Sequence, residues 1–355
     1  MKLHKAKYIV LALVLVIAAF CCAGCGHKEE SEVRVFCYGD YMDPSVTDEF
    51  EEKTGIHVVL DTFDTNEEMY PVIKNRAGVY DVICASDYMA ERMINEGLLQ
   101  KIDTGSMKNY KNIGKTYLDL CARSFDPENE YAVPYQWGTL GIMYNAKKLG
   151  KGKITSWADL WDEKYSGRII MQDSLRDTLG ASLKSLGYSL NTTNEKEVAK
   201  AAQHLIDQKP LVYKYANDSA RDLLIGNSAD IGVVWNGELL YSQDLNKDLE
   251  FAIPKEGTEI FIDCWCIPNN AFHKENAEKF IDFMCDDDVA YTNFEYLTYS
   301  TPNEAAIKKM PKELQSNDVL FPTEKTLARC ESLADLGPDG DDLYSKYWKI
   351  YKSKN

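Results

Sequence analysis

Short runs of β-branched residues alternate with capped amphipathic segments from residue 33 onward, and this alternation constrains the fold more than any other feature of the chain. Strands are predicted at 33–38, 56–60, 80–84, 168–171, 231–235, 249–253 and 260–267. Helices are predicted at 89–96, 176–187, 195–208, 274–285 and 287–296. Strands that alternate with helices form sheets covered by helical layers, so the sequence predicts an α/β fold.

Local signals mark several helix ends. Asp43, followed by proline, is the predicted N-cap of a helix that ends at Gly55. Capping boxes are predicted at 156–159 and at 301–304, the second with Thr301 as the N-cap.

The length of the chain predicts two lobes, because about 330 residues exceed the usual size of one hydrophobic core. No Ser/Gly/Pro-rich linker divides the chain. We therefore expect extended segments near 138 and 260 to cross between the lobes and to act as a hinge. Lobe 1 is predicted to comprise 33–138 plus 262–308, and lobe 2 to comprise 139–261 plus 309–355.

The N-terminus has the features of a lipoprotein signal. Three lysines precede an apolar stretch at 9–20, and the sequence Cys-Ala-Gly-Cys follows at 22–25. The stretch is too short for a bilayer core, which needs about 20 helical residues. We expect a signal peptide at 1–24, a lipid on Cys25 and a polar tether at 25–32. The protein would then be extracytoplasmic and anchored to the outer face of the cell membrane.

Charge and motifs exclude several functions. The net charge of −16 becomes −19 without residues 1–24, so the surface repels nucleic acid. His57, His204 and His273 have no nucleophile motif beside them, so we expect no catalytic residue and no cofactor. Cys264 and Cys266 lack the second pair that a metal site requires, and no metal is expected.

Acidic and aromatic residues stand at the ends of predicted strands, where α/β sheets present loops to ligands. Asp263 is the least ordinary of them, because it interrupts the apolar run at 260–267. A carboxylate placed there needs a cation or strong donors to offset its desolvation. The others are Asp40, Tyr41, Ser86, Asp87, Tyr88, Trp137, Asp173, Asp177, Trp235, Phe261 and Tyr299.

Several motifs identify a family resemblance. The most specific are TGI at 54–56, EGLLQKID at 96–103, VPYQWG at 133–138, TSWADLW at 155–161, LGY at 186–188, WNG at 235–237 and TPN at 301–303. With these motifs the chain resembles the spermidine/putrescine-binding lipoproteins of polyamine ABC importers, from residue 33 to about 347.

The resemblance implies a two-lobed, flytrap-like periplasmic-binding-protein fold of type II, with two mixed sheets and an interlobe hinge. Its implied partners are a polyamine, the permease subunits with their cytoplasmic ATPase, and the membrane through the N-terminal lipid. A monomer is expected. The implied ligand residues are Tyr38, Asp40, Tyr41, Ser86, Tyr88, Asp173, Asp177, Trp235, Phe261, Asp263 and Tyr299.

A polyamine suits these residues because acids can bind its terminal ammonium groups and aromatic rings can cover its methylenes. Asp263 and Asp177 would each take one end. The chain departs from the family where Tyr38 and Phe261 replace tryptophan, where Ser174 replaces an acid beside Asp173, and where Leu333 replaces a polar residue. Fewer acids and smaller rings favour the diamine putrescine over the triamine spermidine.

Three alternatives remain open from the sequence. The protein could bind ferric iron or a sulfate-like anion, although an acid-lined cleft opposes an anion. A tethered extracellular hydrolase would need cleft acids with raised pKa values and a path for water. A structural surface protein would have no closable cleft.

Overall fold

The computed structural model describes residues 31–39, 41–76, 78–217 and 219–354. The predicted signal peptide, Cys25, most of the predicted tether and Asp40 lie outside these residues. None of the helices within the described ranges has both the length and the apolar character needed to cross a bilayer.

The described residues form ten strands and fifteen α-helices. The strands are Glu32–Tyr38 (β1), His57–Phe63 (β2), Val82–Ser86 (β3), Ala132–Asn145 (β4), Ile169–Met171 (β5), Val212–Tyr215 (β6), Ile231–Trp235 (β7), Leu249–Ala252 (β8), Glu259–Cys266 (β9) and Glu331–Ser332 (β10). The helices are Pro44–Thr54 (α1), Asn66–Asn75 (α2), Asp87–Asn95 (α3), Lys115–Ser124 (α4), Ala146–Leu149 (α5), Leu175–Ser185 (α6), Glu195–Gln208 (α7), Ser219–Ile225 (α8), Glu238–Leu245 (α9), Lys274–Met284 (α10), Asp287–Leu297 (α11), Glu304–Lys309 (α12), Lys312–Gln315 (α13), Glu324–Leu327 (α14) and Gly337–Ser353 (α15). Short 3-10 helices lie at Tyr110–Asn112, Trp157–Trp161, Glu163–Tyr165 and Lys209–Leu211.

The strands follow the order β2-β1-β3-β9-β4-β7-β5-β6, with β10 beside β9 and β8 beside β4. Residues 132–139 of β4 pair with β9, whereas residues 140–145 pair with β7 and β8. β4 therefore belongs to two sheets at once. Each sheet contains parallel and antiparallel pairs, which confirms the predicted α/β fold with two mixed sheets.

Each sheet is covered by helices on both faces, which explains why central strands such as β3 and β7 are almost continuously apolar. On the first sheet one core contains Phe50, Trp265 and Phe280, and a core on the other face contains Met89 and Trp137. The second sheet likewise has two cores. They include Leu179, Leu205 and Tyr344 on one side and Leu224, Val234 and Phe251 on the other.

The helix caps were predicted correctly in two of three cases. The Asp43 side chain accepts a hydrogen bond from the Ser45 amide at the start of α1, and Gly55 ends that helix with a φ of 68°. The capping box at 156–159 is also confirmed, although the helix that follows it is a 3-10 helix.

The prediction of Thr301 as an N-cap was wrong. Asn303 caps α12 instead, because its Oδ1 accepts from the amides of Ala305 and Ala306, at 3.1 and 3.0 Å. The amide of Asn303 donates to Thr301 Oγ1 at 3.2 Å, so the threonine supports the capping residue. Asn303 Nδ2 also donates to the Cys285 carbonyl, which fixes the end of α10.

We predict that Asn303→Ala lowers the free energy of unfolding by about 1–3 kcal/mol, because it removes the cap and one of the two side-chain donors to the Cys285 carbonyl, the other being Asn112 Nδ2. Urea unfolding followed by circular dichroism measures this. Thr301→Val is the matched control and is expected to cost less, since Thr301 accepts a single hydrogen bond. A larger loss for Thr301→Val than for Asn303→Ala would contradict the assignment of the cap.

Candidate functional site

The site is built where β1, β3 and β9 lie side by side. β3 pairs antiparallel with β9 so that Ser86 stands opposite Asp263. β1 is the other neighbour of β3 and ends at Tyr38. The ends of two strands that are far apart in sequence thus meet the middle of β9.

The Asp263 carboxylate is held by hydroxyl groups. Ser86 Oγ donates to its Oδ1 at 2.6 Å, and the phenol of Tyr41 donates to its Oδ2. The Tyr38 hydroxyl lies 2.9 Å from Ser86 Oγ and extends the network. Asp263 is only 5% exposed, and no lysine or arginine of the described residues forms an ion pair with it.

Burial raises the pKa of Asp263 to about 6, while the hydrogen bonds from Ser86 and Tyr41 work in the opposite direction. Near neutral pH the group therefore carries a negative charge in surroundings that supply hydroxyl donors and no cationic side chain. A buried carboxylate of this kind gains more than an exposed one when a cation arrives.

A row of aromatic rings connects this carboxylate with the second sheet. The rings of Trp235 and Phe261 are 4.9 Å apart, and Phe261 is 6.0 Å from Tyr299. Tyr299 is in turn 6.3 Å from Tyr41, which is 5.3 Å from Tyr38. All four contacts are edge-to-face, so several rings present their faces to the space beside them.

Two glycines make room for these rings. A Cβ atom on Gly138 would lie 2.7 Å from the ring of Phe261, and one on Gly237 would lie 2.5 Å from the ring of Tyr299. The motifs VPYQWG and WNG thus end in glycine where a side chain would displace an aromatic ring of the site.

A second group of acids lies at the first turn of α6. Asp177 shares a hydrogen bond with Glu259, and Ser174 also hydrogen-bonds to it. Burial raises the pKa of Asp177, and the two hydrogen bonds lower it. Asp87, at the start of α3, is 2% exposed and raises the pKa of Glu259 through its charge. One acidic region, around Asp263, therefore lies on one side of Phe261, and a second, around Glu259, lies on the other.

Asp87 and Glu259 were absent from the ligand set predicted from the sequence. Asp87 was noted only as part of the loop after β3. Glu259 lies just before the apolar run at 260–267. It is two residues from Phe261 and four from Asp263, so the three side chains share one face of β9. This two-residue spacing is the sequence signal that could have identified Glu259 as a site residue.

Other predicted residues lie outside the network around Asp263. The Tyr88 hydroxyl accepts from Asn66 Nδ2 and donates to Glu67 Oε1, each at 3.0 Å. Asp173 is exposed and lies 2.5 Å from Lys352 Nζ on α15. Asp40 is not among the described residues.

The chain matches the family model for bacterial extracellular solute-binding proteins over residues 45–323. It belongs to that family. The spermidine/putrescine-binding periplasmic protein of Salmonella typhimurium is 34% identical over 329 residues, which cover 92% of this chain and 93% of the relative. The family resemblance inferred from the motifs is confirmed.

Two solved structures of solute-binding proteins share the fold. The spermidine/putrescine ABC transporter substrate-binding protein PotD of Streptococcus pneumoniae aligns with a TM-score of 0.81 and 33% identity, over 91% of this chain and 98% of the other. A PotD lipoprotein of Treponema pallidum aligns with a TM-score of 0.80 and 25% identity, over 90% and 99%. The two-lobed fold of periplasmic binding proteins is thereby confirmed for this solute-binding protein.

We predict that Tyr41→Phe raises the pKa of Asp263 by about 1–2, because the lost hydrogen bond stabilises the charged form by roughly 1.5–3 kcal/mol. The titration of the Asp263 carboxyl carbon, followed by NMR, measures the change. Tyr80→Phe is the control, since Tyr80 donates to Asp61 and not to Asp263. An unchanged pKa in Tyr41→Phe would show that this phenol does not hold the carboxylate.

Proposed function

We propose that this protein is the solute-binding component of an ABC importer, which captures spermidine or putrescine outside the cytoplasm and delivers it to a permease driven by a cytoplasmic ATPase. The observation that carries the proposal is the buried Asp263 carboxylate, held by hydroxyls at one end of a row of aromatic rings. The names of the relatives support the same ligand class.

The chemistry of a polyamine matches this site part by part. A terminal ammonium group can donate to Asp263, which no cationic side chain of the described residues neutralises. Trp235, Phe261 and Tyr299 offer faces and edges to the methylene chain, and rings attract a nearby ammonium by about 0.5–2 kcal/mol each. Asp177 supplies an acid for the opposite end.

The tyrosines of the site oppose the ferric alternative. Burial raises the pKa of Tyr38 and of Tyr41 well above the ordinary value, and the charge of Asp263 raises both further. Forming the phenolates that an iron site requires would therefore cost more for these two side chains than for an exposed tyrosine. The carboxylates of the site would repel sulfate.

The two proposed lobes would close on the ligand by a hinge motion at β4 and β9, where the chain passes from one lobe to the other. The first lobe comprises 33–138 plus 262–308, and the second comprises 139–261 plus 309–355. One ion-pair group supports a closed arrangement. Arg92 on α3 lies 2.6 Å from both Asp335 and Asp341, which belong to the proposed second lobe. Such contacts favour the closed form and would have to break when the lobes open.

We also propose that the protein carries a lipid anchor at its N-terminus. A signal peptide at 1–24 would be removed, and the lipid on Cys25 would hold a monomer at the outer face of the membrane. The T. pallidum relative is described as a lipoprotein, which supports this interpretation. Since β1 begins at Glu32, the residues between it and Cys25 allow a reach of at most about 20 Å.

We predict that Asp263→Asn and Trp235→Ala each weaken polyamine binding by about 10- to 100-fold, because they remove a charge-assisted hydrogen bond and a ring contact. Isothermal titration calorimetry of ligand-free protein with putrescine, spermidine, sulfate and ferric citrate measures this. Asp173→Asn is the matched control and is expected to leave affinity unchanged, since Asp173 pairs with Lys352.

Saturable one-to-one binding of an amine supports the proposal. Folded protein that binds neither amine would contradict it, and binding of ferric citrate or sulfate instead would favour the corresponding alternative.

We predict that Cys25→Ala abolishes the incorporation of labelled palmitate into this protein in growing cells, because no thiol remains to carry the lipid. Cys330→Ala, which changes a thiol of the folded part, is the control and should still be labelled. Equal labelling of Cys25→Ala and the unmodified chain would exclude a lipid on Cys25.

A further inference from the structure

One face of β9 carries an acid, an aromatic ring and a second acid in succession. Glu259, Phe261 and Asp263 alternate along the strand and therefore point to the same side. Glu259 and Asp263 are each 5% exposed, and four residues of strand separate their Cα atoms by about 13 Å. Phe261 lies halfway and contacts the rings of Trp235 and Tyr299.

The Glu259 end of this face receives carboxyl groups from two more elements. Asp177 comes from the first turn of α6 and hydrogen-bonds with Glu259. Asp87 comes from the first turn of α3, close enough for its charge to act on both Glu259 and Asp263. Two buried acids, Glu259 and Asp87, and the half-buried Asp177 are thus brought together from three separate segments.

One of these acids has a free oxygen. Asp87 is 2% exposed, and its Oδ1 accepts from the Tyr88 amide at 2.8 Å. Its Oδ2 is buried and has no hydrogen-bond partner among the described residues. A buried carboxylate oxygen without a donor is costly, and a bound donor would remove that cost.

Two cationic side chains lie near this cluster, and their hydrogen bonds are made to other groups. Arg176 donates to Asn191 Oδ1 at 2.9 Å and to the Ala334 carbonyl at 3.3 Å. Lys184 pairs with Glu331 at 2.6 Å. Burial, together with the charges of Asp177 and Asp87, raises the pKa of Glu259 well above its ordinary value. The charge of Arg176 lowers the pKa of Asp87, Asp177 and Glu259, but no cationic side chain of the described residues forms an ion pair with any of the three.

We propose that Glu259 and Asp87, together with Asp177, bind the second terminal ammonium group of a triamine whose first ammonium group binds Asp263. This inference rests on the proposed function and deepens it. It makes Glu259 and Asp87 specificity-determining residues, and it reverses the expectation that missing acids favour the diamine.

The lengths of the ligands support a triamine. At roughly 1.25 Å per bond along an extended chain, the terminal nitrogens of putrescine are about 6 Å apart and those of spermidine about 11 Å apart. The acids at the two ends of the β9 face are separated by about 13 Å along the strand, so spermidine reaches both and putrescine reaches only one. Phe261 would cover the methylenes between them.

The test is calorimetry of the purified protein with spermidine, putrescine and 1,8-diaminooctane, which has two ammonium groups and the same length as spermidine. We expect spermidine to bind at least about 10-fold more tightly than putrescine. Glu259→Gln and Asp87→Asn should each weaken spermidine about 10-fold or more and putrescine less than about 3-fold. Asp342→Asn, which changes an exposed acid of α15, should alter neither affinity.

The comparison of the three ligands uses the unmodified protein, so it tests the inference even if a variant fails to fold. Tighter binding of 1,8-diaminooctane than of putrescine supports a two-ended site. Equal or tighter binding of putrescine, or variants that weaken both amines equally, would overturn the inference while leaving the proposed function intact. Failure of the unmodified protein to bind any amine would instead contradict the proposed function.

Discussion

The antiparallel pairing of β4 with β9 is the contact on which the rest of the structure depends. β4 is the strand shared by both sheets, and β9 lies between it and β3. The pairing therefore fixes where the second sheet stands relative to the ends of β1 and β3. It also sets Phe261 opposite Gly138, where the absence of a side chain leaves space for the ring.

The electrostatics of the site follow from this placement. A strand in the middle of a sheet is buried, so an acid on it loses hydration and its pKa rises, as found for Asp263. Ser86 and Tyr41 recover part of that loss without supplying a positive charge. The folded protein thus retains an unneutralised carboxylate next to aromatic rings, an arrangement that disfavours anions and suits an organic cation.

Much of the fold could be predicted from local sequence. Helix α7 and strand β7 begin and end at the predicted residues, and α1 lies between its predicted caps, Asp43 and Gly55. These predictions succeeded because helix caps and apolar periodicity depend on residues only a few positions apart in the sequence. Thr301 was wrongly chosen as a cap because Thr and Asn both accept hydrogen bonds from helix amides. The choice between them depends on where α12 begins, and Asn303 is additionally held there by the Cys285 carbonyl of a distant helix.

The sequence by itself determined the α/β alternation, the family and the identity of Asp263 as an acid inside an apolar strand. These features are set by neighbours along the chain and by motifs of a few residues. Only the tertiary structure decided which acids share a site. It paired Asp173 with Lys352 on the last helix, and it brought Asp87 and Asp177 to Glu259 from two other segments. Such groupings depend on strand order and register, which local sequence does not specify, because they arise from packing between residues far apart in the chain.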